Sequence, residues 1–511
     1  NALIYYAGPT PTKPGNVIGS IGPTTSSRMD KFIDYMKPLK IEGMIGKGPR
    51  SSYVKDKIKE DGLIYFVATG GAGALLSKAV ISAKEVLFED LGCESIKRLE
   101  VKDFPLLVAI DTSGNNIFKI MSLKDDALKF HEGGKFETTL KHEINNRNDL
   151  SLAYTPGVAN ACLAIKETPE LAYKYTSKGN IVAVITDGTA VLGLGDIGPL
   201  AGIPVMEGKA NLFKKFANID AISLCLNTKN VDEIVAICKA LEPSLGGINL
   251  EDISAPRCVE IERRLIKEMN IPVMHDDQHG TSIVVGAAVL NCCRLTHKKM
   301  SDLTVVMSGT GAAGSNIARM LKRLGVKRIY ASNKDGVVDA KNYDSYDFLI
   351  KELIDDGIID TKQNHDNTLA SLLKDANVFI GVSAPHLVTK EMVKTMKDPF
   401  VFAMANPEPE ITYEEAISGG AIVAGTGRSD FPNQVNNLLA FPGIFRGALD
   451  AKALKITEGM KMAAAQALAN LITDDELKNT YILPDAFDNR VVEAVSKAVY
   501  EEAIKENIIR K

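Results

Sequence analysis

Two short apolar runs with acidic ends constrain this chain more than any other feature. Gly247-Ile248-Asn249-Leu250 leads straight into Glu251-Asp252, and Ile271-Pro272-Val273-Met274 leads into His275-Asp276-Asp277. Between them a helix is expected from near Pro256, with Cys258, Ile261, Leu265 and Ile266 on one face. A strand–helix–strand crossover of this length makes the two strands parallel, so both acidic pairs emerge at the same carboxyl edge of a sheet. That edge is where open α/β sheets bind ligands. Four carboxylates converging there repel one another unless a cation sits among them, and oxygen-only ligation suits Mg2+ or Mn2+. Spacing leaves a plainer alternative open, in which Glu251 caps the next helix and the Asp pair forms a turn. His275 and His279 are candidate transition-metal ligands, although a lone histidine is more often a hydrogen-bonded structural residue.

A second constraint lies downstream. Leu303-Thr304-Val305-Val306-Met307 is an apolar strand, soon followed by Gly309-Thr310-Gly311-Ala312-Ala313-Gly314; Ile317, Met320, Leu321 and Leu324 then mark a helix. In that setting the glycines permit a tight turn and let backbone N–H groups approach a pyrophosphate at the helix N-terminus. A glycine-rich turn with no ligand is the plainer reading. The next strand should end in an acid for the adenine ribose of NAD. Here Ile329-Tyr330-Ala331-Ser332 is followed by Asn333, with Lys334 beside it. Losing the carboxylate and gaining a cation tolerates a 2′-phosphate, so NADP is accommodated; the register is open by a residue, and Asp335 is the alternative for the acidic role. The choice between NAD and NADP stays open.

These features sit in a chain of 511 residues, enough for three or four domains. Residues 1–120 hold short apolar strands (Leu3 to Ala7, Leu63 to Thr69, Pro105 to Ile110) between Gly-rich turns. The region 121–285 opens on a polar stretch to about 150, containing Lys124-Asp125-Asp126, that reads as a linker plus a short helix around Ala127 to His131. It then alternates strands at Ile181 to Ile185, Ala221 to Leu226 and Pro272 to Met274 with helices, the pattern of a parallel sheet. Residues 286–450 begin with a helix and repeat that pattern through Arg328 to Ala331, Val378 to Gly381, Phe400 to Met404 and Ala421 to Ala424. The tail, 451–511, is helical, with Val491, Val495 and Ala498 on one face.

The formal net charge of −4 gives no broad basic field for nucleic acid or an anionic membrane. No apolar run approaches the roughly 20 residues of a membrane-spanning helix. The seven cysteines are scattered, mostly in apolar stretches, and read as free thiols in a reducing, cytoplasmic compartment. The chain opens at Asn1, directly in an apolar strand and without a Met, so a natural N-terminal portion is expected to be missing.

From about residue 123 onwards the chain resembles the bacterial-type malic enzymes. The resemblance rests on Ser151-Leu-Ala-Tyr154-Thr-Pro-Gly157, Thr186-Asp-Gly-Thr-Ala-Val-Leu-Gly-Leu-Gly-Asp196, Glu207-Gly-Lys209, Asn249-Leu-Glu251-Asp252, His275-Asp276-Asp277-Gln-His-Gly280, Phe402-Ala-Met-Ala-Asn406-Pro, and Asn433-Gln-Val-Asn436-Asn437 before Phe441-Pro-Gly443. It implies an α/β fold with a catalytic domain and a Rossmann-type dinucleotide-binding domain, and oxidative decarboxylation of malate to pyruvate and CO2 with NAD or NADP. It further implies Glu251, Asp252 and Asp277 as ligands of Mg2+ or Mn2+, Lys209 as general base with Asp276 close to it, and Tyr154 as general acid. Gly309, Gly311, Ala312, Ala313, Gly314, Asn333 and Lys334 would hold the dinucleotide, and Asn406 and Asn437 would contact malate or the nicotinamide end. A homodimer or higher homo-oligomer is expected. One departure stands out: the animal and plant branch carries a substrate-binding Arg where this chain has Ala190. Lys209 must be neutral to accept a proton, so its pKa is expected to be pushed down. Within the family, a malolactic enzyme that retains NAD and releases lactate is the alternative.

The first block has its own resemblance. Gly19-Ser-Ile-Gly22-Pro-Thr24-Thr25-Ser-Ser-Arg28-Met-Asp30, Gly46-Lys47-Gly48, Thr69-Gly70-Gly71-Ala72 and Glu100-Val-Lys-Asp-Phe104-Pro105 look like the C-terminal (beta) domain of class I fumarases and tartrate dehydratases, an α+β unit. Thr24, Arg28 and Lys47 match positions that bind a dicarboxylate there. The iron–sulfur domain of that family has no counterpart here, so the block is expected to be a scaffold, a dicarboxylate-sensing module or an oligomerisation element. A hydro-lyase subunit awaiting an iron–sulfur partner is the remaining reading.

Overall fold

The computed structural model describes residues 2–68, 71–118, 123–191, 193–361 and 366–510. Thr69, Gly70 and Leu192, each within a motif quoted above, lie outside the described residues. The chain divides into two compact units, Asn1–Phe130 and His131–Lys511.

The first unit is built on four strands, β1 (Ala2–Tyr5), β2 (Ile41–Gly46), β3 (Ile64–Val67) and β4 (Leu107–Ile110), in that spatial order. The first three are parallel and β4 is antiparallel to β3. Ile33, Met44, Val54, Ile58, Tyr65 and Ile110 form its core. Thr24, Arg28 and Lys47 are all exposed, and the Ser26 hydroxyl accepts the Lys47 N–H at 2.9 Å, so the backbone holds Lys47 beside the Thr24–Ser26 turn. The short helix expected around Ala127 to His131 is present and begins earlier, spanning Leu123–His131.

The second unit contains two sheets. In the first, β5 (Ile181–Thr186), β6 (Asp220–Cys225), β7 (Gly247–Leu250) and β8 (Val273–His275) are all parallel, in the order β6-β5-β7-β8. The strands β7 and β8 are neighbours, as the crossover argument required, and the turns after β5, β7 and β8 share one carboxyl edge. In the second sheet, β9 (Thr304–Ser308), β10 (Arg328–Asn333), β11 (Gly336–Val337), β12 (Val378–Gly381), β13 (Phe400–Ala403) and β14 (Val423–Thr426) run in the order β11-β10-β9-β12-β13-β14. Only β11 is antiparallel, as a tight return from β10.

Nine helices of this unit matter for the site: α1 (Arg147–Ala153), α2 (Val158–Glu167), α3 (Gly198–Ala217), α4 (Arg257–Glu268), α5 (Asp276–Thr296), α6 (Ala312–Arg323), α7 (Phe441–Asp450), α8 (Glu458–Asn470) and α9 (Arg490–Lys505). The domain boundary expected at 285/286 falls inside α5, which runs unbroken and is buried on nearly every side. Its sequence holds no proline, and Gly286 is packed closely enough against α6 that a Cβ there would lie 3.0 Å from Leu324 and 3.1 Å from Met320. One continuous helix therefore joins the two sheets. In the tail, the buried stripe of α9 is Val491, Val495, Val499 and Ala503, with Ala498 only half-buried. Val495 and Val499 seat on Gly443 and Gly447 of α7, where a Cβ would clash at 2.7 and 2.8 Å.

Candidate active site

The acidic residues converge as their strand ends dictate. Glu251, Asp252 and Asp277 each present a carboxylate oxygen, and these atoms all lie within 4.8 Å of one another. Asp252 sits in left-handed backbone (φ 53°), and its N–H donates to Asp277 at 2.9 Å, so the β7 and β8 turns are stitched together. The Asn249 amide donates to Glu251 at 2.7 Å from inside β7. Asp187, at the end of β5, is tied down differently: Arg257 pairs with it at 2.8 Å, and Thr189 donates to it at 2.6 Å.

Lys209 enters this cluster from α3. Its buried face reads Met206, Lys209, Ala210, Phe213, Ala217, so the helical period places a lysine among core residues. Its ammonium lies 3.0 Å from Glu251, bonds Asp276, and stands 3.9 Å from the centre of the Phe441 ring. The second donor to Asp276 is the Asn437 amide, which comes from just before α7. Burial pulls Lys209 down, but Asp276 and Glu251 outweigh it and hold the ammonium above the ordinary lysine range. The expected depression is thus absent, because two carboxylates contact the group that desolvation acts on.

The carboxylates show the opposite imbalance. Burial pushes Glu251 and Asp277 above the usual carboxylate range and Asp276 up to about 8. One lysine does not balance four acids, of which Glu251, Asp252 and Asp276 are buried and Asp277 is half-buried. Hard oxygen donors in excess of the neighbouring positive charge are the donor set a divalent cation takes. His279 bonds Glu262 at 3.0 Å, away from the carboxylate triad, whereas the fully buried His275, its pKa lowered to about 4 by burial, has Nδ1 3.7 Å from Asp277.

At the second sheet the three glycines do three different things. Gly309 has φ +105°, and a Cβ there would lie 2.7 Å from the Val382 carbonyl. At Gly314 it would lie 2.1 Å from the Gly309 carbonyl, so this glycine lets α6 close onto the loop. At Gly311 it would meet nothing within 4 Å. Space over the middle glycine, beside Ala312 and Ala313 at the N-terminus of α6, is what a pyrophosphate needs. Asn333 ends β10 next to this loop, half-buried, and its side-chain oxygen accepts the Asp335 N–H at 2.8 Å. Lys334 is exposed at the same turn. Asn316, in the first turns of α6, donates to Gln278 at 3.2 Å, which links the loop to the carboxylate cluster.

Two expected residues are not brought to the cluster. Asn406 is exposed in the loop after β13. Tyr154 caps α1 and is 70% exposed, and α1 and α2 contain no buried residue at all. Ala190 lies on the loop after β5, its N–H bonded to the Asp252 carbonyl. Arg257 reaches this loop, but its terminal nitrogens are spent on Asp187, Thr189, Ser254 and the Lys229 carbonyl. Sequence reading also missed Glu410, fully buried, which accepts the N–H groups of Ser383 and Ala405 and so pins the loops after β12 and β13. No local signal marks it, since it sits in the Pro- and Glu-rich turn Asn406-Pro-Glu-Pro-Glu410. All seven cysteines are free, and four are buried.

An α/β sheet with a glycine loop opening a helix, joined to a second parallel sheet with buried acids at its edge, defines a dinucleotide-dependent oxidoreductase. Residues 133–266 match the profile of the malic enzyme N-terminal domain, and 278–506 that of the malic enzyme NAD-binding domain. The chain belongs to the malic enzyme family. Residues 1–121 match the fumarase C-terminus profile. A bifunctional malic/malolactic enzyme of Bacillus subtilis is 53% identical over 394 residues, covering 76% of this chain and 95% of its own length. An NAD-dependent malic enzyme of Geobacillus stearothermophilus is 46% identical over 465 residues, 90% of this chain and 95% of its own. Among solved structures, the NAD-dependent malic enzyme of Thermotoga maritima is similar with a TM-score of 0.70 at 48% identity, over 73% of this chain and 99% of that one. The malic enzyme of Pyrococcus horikoshii has a TM-score of 0.71 at 42% identity, over 76% of this chain and 92% of that one.

Proposed function

We propose that this chain oxidises malate with NAD or NADP and decarboxylates the product to pyruvate and CO2, with Mg2+ or Mn2+ held by Glu251, Asp252 and Asp277. The observation that carries this reading is a buried lysine in contact with two of the acids that meet at one sheet edge. When bound, the dinucleotide supplies the hydride acceptor and the cation stabilises negative charge on the substrate oxygens. Lys209 takes the proton of the C2 hydroxyl. Positive charge among the acids reverses the field that now holds Lys209 protonated, which is how a bound ion inverts local pKa logic. Asp276, itself held by the Asn437 amide, keeps the Lys209 nitrogen at the C2 hydroxyl. Tyr154 returns a proton to C3 after CO2 departs.

In a single chain the Tyr154 phenol stands in solvent, along with Leu150, Leu152, Val158 and Leu163. Apolar helices without a buried face need a partner, and we take that partner to be a second copy, in a homodimer or higher homo-oligomer. Free, mostly buried thiols suit a reducing cytoplasm. Among the described residues no helix is long and apolar enough to cross a membrane.

The test is absorbance of reduced nicotinamide with malate and Mn2+, run in parallel with NAD and NADP, together with identification of the three-carbon product. Pyruvate with net cofactor reduction supports the reading. Lactate without net reduction would favour the malolactic alternative, which the B. subtilis relative's name keeps in view. No turnover with either cofactor would overturn both. Equilibrium sedimentation tests the oligomer, and a monomer at assay concentration would refute it.

A further inference from the structure

A chain of buried charge runs behind the acid cluster, and the reaction outlined above does not use it. Glu262 lies on the buried stripe of α4, fully enclosed. One of its oxygens accepts the backbone N–H of His275 at 2.7 Å, at the entry to α5. The other bonds Nε2 of His279, one turn further along the same helix, at 3.0 Å. On the same ring sits Lys461 of α8, whose ammonium lies 3.1 Å from Nδ1 and 3.2 Å from Nε2. Lys461 is 3% exposed and also bonds Glu458 at 2.9 Å. Glu458 in turn pairs with Arg323, at the far end of α6, at 2.5 Å.

Buried ion pairs are poor sources of net stability, because desolvation consumes most of their Coulombic gain. What they do supply is a fixed geometry. Here the fixed object is the segment 275–279, held at both ends by one carboxylate, and between those ends lie Asp276 and Asp277. We propose that Glu262 and Lys461, joined through His279, are positioning residues that lock the start of α5 and so aim Asp276 at Lys209 and Asp277 into the ligand triad. The inference rests on the reading of Glu251, Asp252 and Asp277 as cation ligands. It also assigns the helical tail a role at the site: α8 supplies the cation that keeps Glu262 in place.

The experiment uses the full chain and the double variant E262Q/K461M, which removes one buried charge of each sign and leaves none unpaired. Mn2+ affinity is read by electron paramagnetic resonance without malate or dinucleotide, reduced-dinucleotide affinity by fluorescence, and fold by far-ultraviolet circular dichroism. Loss of a partner behind a ligand typically weakens metal binding by about 10-fold or more. The expected result is a folded double variant with Mn2+ affinity down about 10-fold, a parallel fall in kcat with malate, and unchanged dinucleotide affinity. A folded variant that binds Mn2+ as the parent does overturns the proposal. Equal losses of Mn2+ and dinucleotide affinity would also overturn it, since they mark general loosening. If the double variant does not fold, E262Q alone, which keeps an oxygen for the His275 N–H, takes the same comparison. A parent protein that binds no Mn2+ would overturn the cation reading itself and the proposal with it, an outcome distinct from the others.

Discussion

Replacing Gly280 by alanine puts a methyl group against Asp276 without touching a proposed ligand. A Cβ at this position would lie 2.1 Å from Asp276 Oδ1, 3.0 Å from its Cγ and 2.8 Å from Asn437 Cβ. Carbon–oxygen contacts relax at about 3.3 Å or more, so the Asp276 carboxylate must withdraw by roughly 1 Å. It cannot do so freely, because its other oxygen is bonded by Lys209 and by Asn437. The displacement therefore passes to the lysine nitrogen. A misplacement of about 1 Å in such a constellation costs on the order of 100-fold in rate. Stability should move little: alanine inside a helix gains about 1 kcal/mol over glycine, and local overpacking costs about 1–3 kcal/mol. Initial rates of malate oxidation across malate and Mn2+ concentrations, with thermal unfolding alongside, measure both sides. Gly280→Ala with kcat/KM within about twofold of the parent would refute the claim that Asp276 positions Lys209, since a twofold change is only about 0.4 kcal/mol.

Other perturbations follow the same logic. Lys209→Met should lower kcat by about 1,000-fold, the range for loss of a general base, while Mn2+ binding persists, as titration of the variant with Mn2+ checks. Asn333→Asp places a carboxylate where a ribose hydroxyl would bond and a 2′-phosphate would be repelled; the ratio of kcat/KM for NAD over NADP should rise about 10-fold or more, measured in parallel assays. Glu262 gives a pH signature. Burial works against its ionisation, but His279 and Lys461 outweigh burial and hold its pKa down to about 2. An unfolded glutamate titrates near 4.3, so the folded chain gains stability that is full above that pH and is lost as pH falls through about 2. The gain is about 3 kcal/mol. Glu262→Gln should remove it, so that urea midpoints at about pH 6 and about pH 3 differ less in the variant than in the parent.

How much of this was readable in the sequence depended on whether a residue's neighbours were local. The strand Gly247–Leu250 appeared with its observed bounds, because a short apolar run closed by Glu251-Asp252 has few other conformations open to it. The glycine loop was equally legible, since Gly309, Gly311 and Gly314 each answer a backbone demand within a few residues. The boundary expected at 285/286 has no break in the backbone to mark it, for the opposite reason: it falls inside α5, and nothing in that helix's own sequence says where one core ends. Lys209 carried a signal that composition alone hides, a cation at a core position of the α3 stripe. Its raised pKa was not legible, because that depends on Asp276, 67 residues further along the chain, reaching contact. Glu262, Lys461 and Glu410 are likewise defined by partners from other helices and loops. Tyr154 shows the limit from the other side: its local motif is clear, yet the face it belongs to is completed by no residue described in this chain.

The central claim is that the buried acids and Lys209 serve malate oxidation and decarboxylation. The most direct measurement follows reduced nicotinamide while the three-carbon product is identified, with malate as substrate and Mn2+ first present and then chelated. Pyruvate is expected in equal amount to reduced cofactor, with loss of both signals on chelation. Turnover that persists unchanged without the divalent cation, or no turnover of malate with either NAD or NADP, would contradict it.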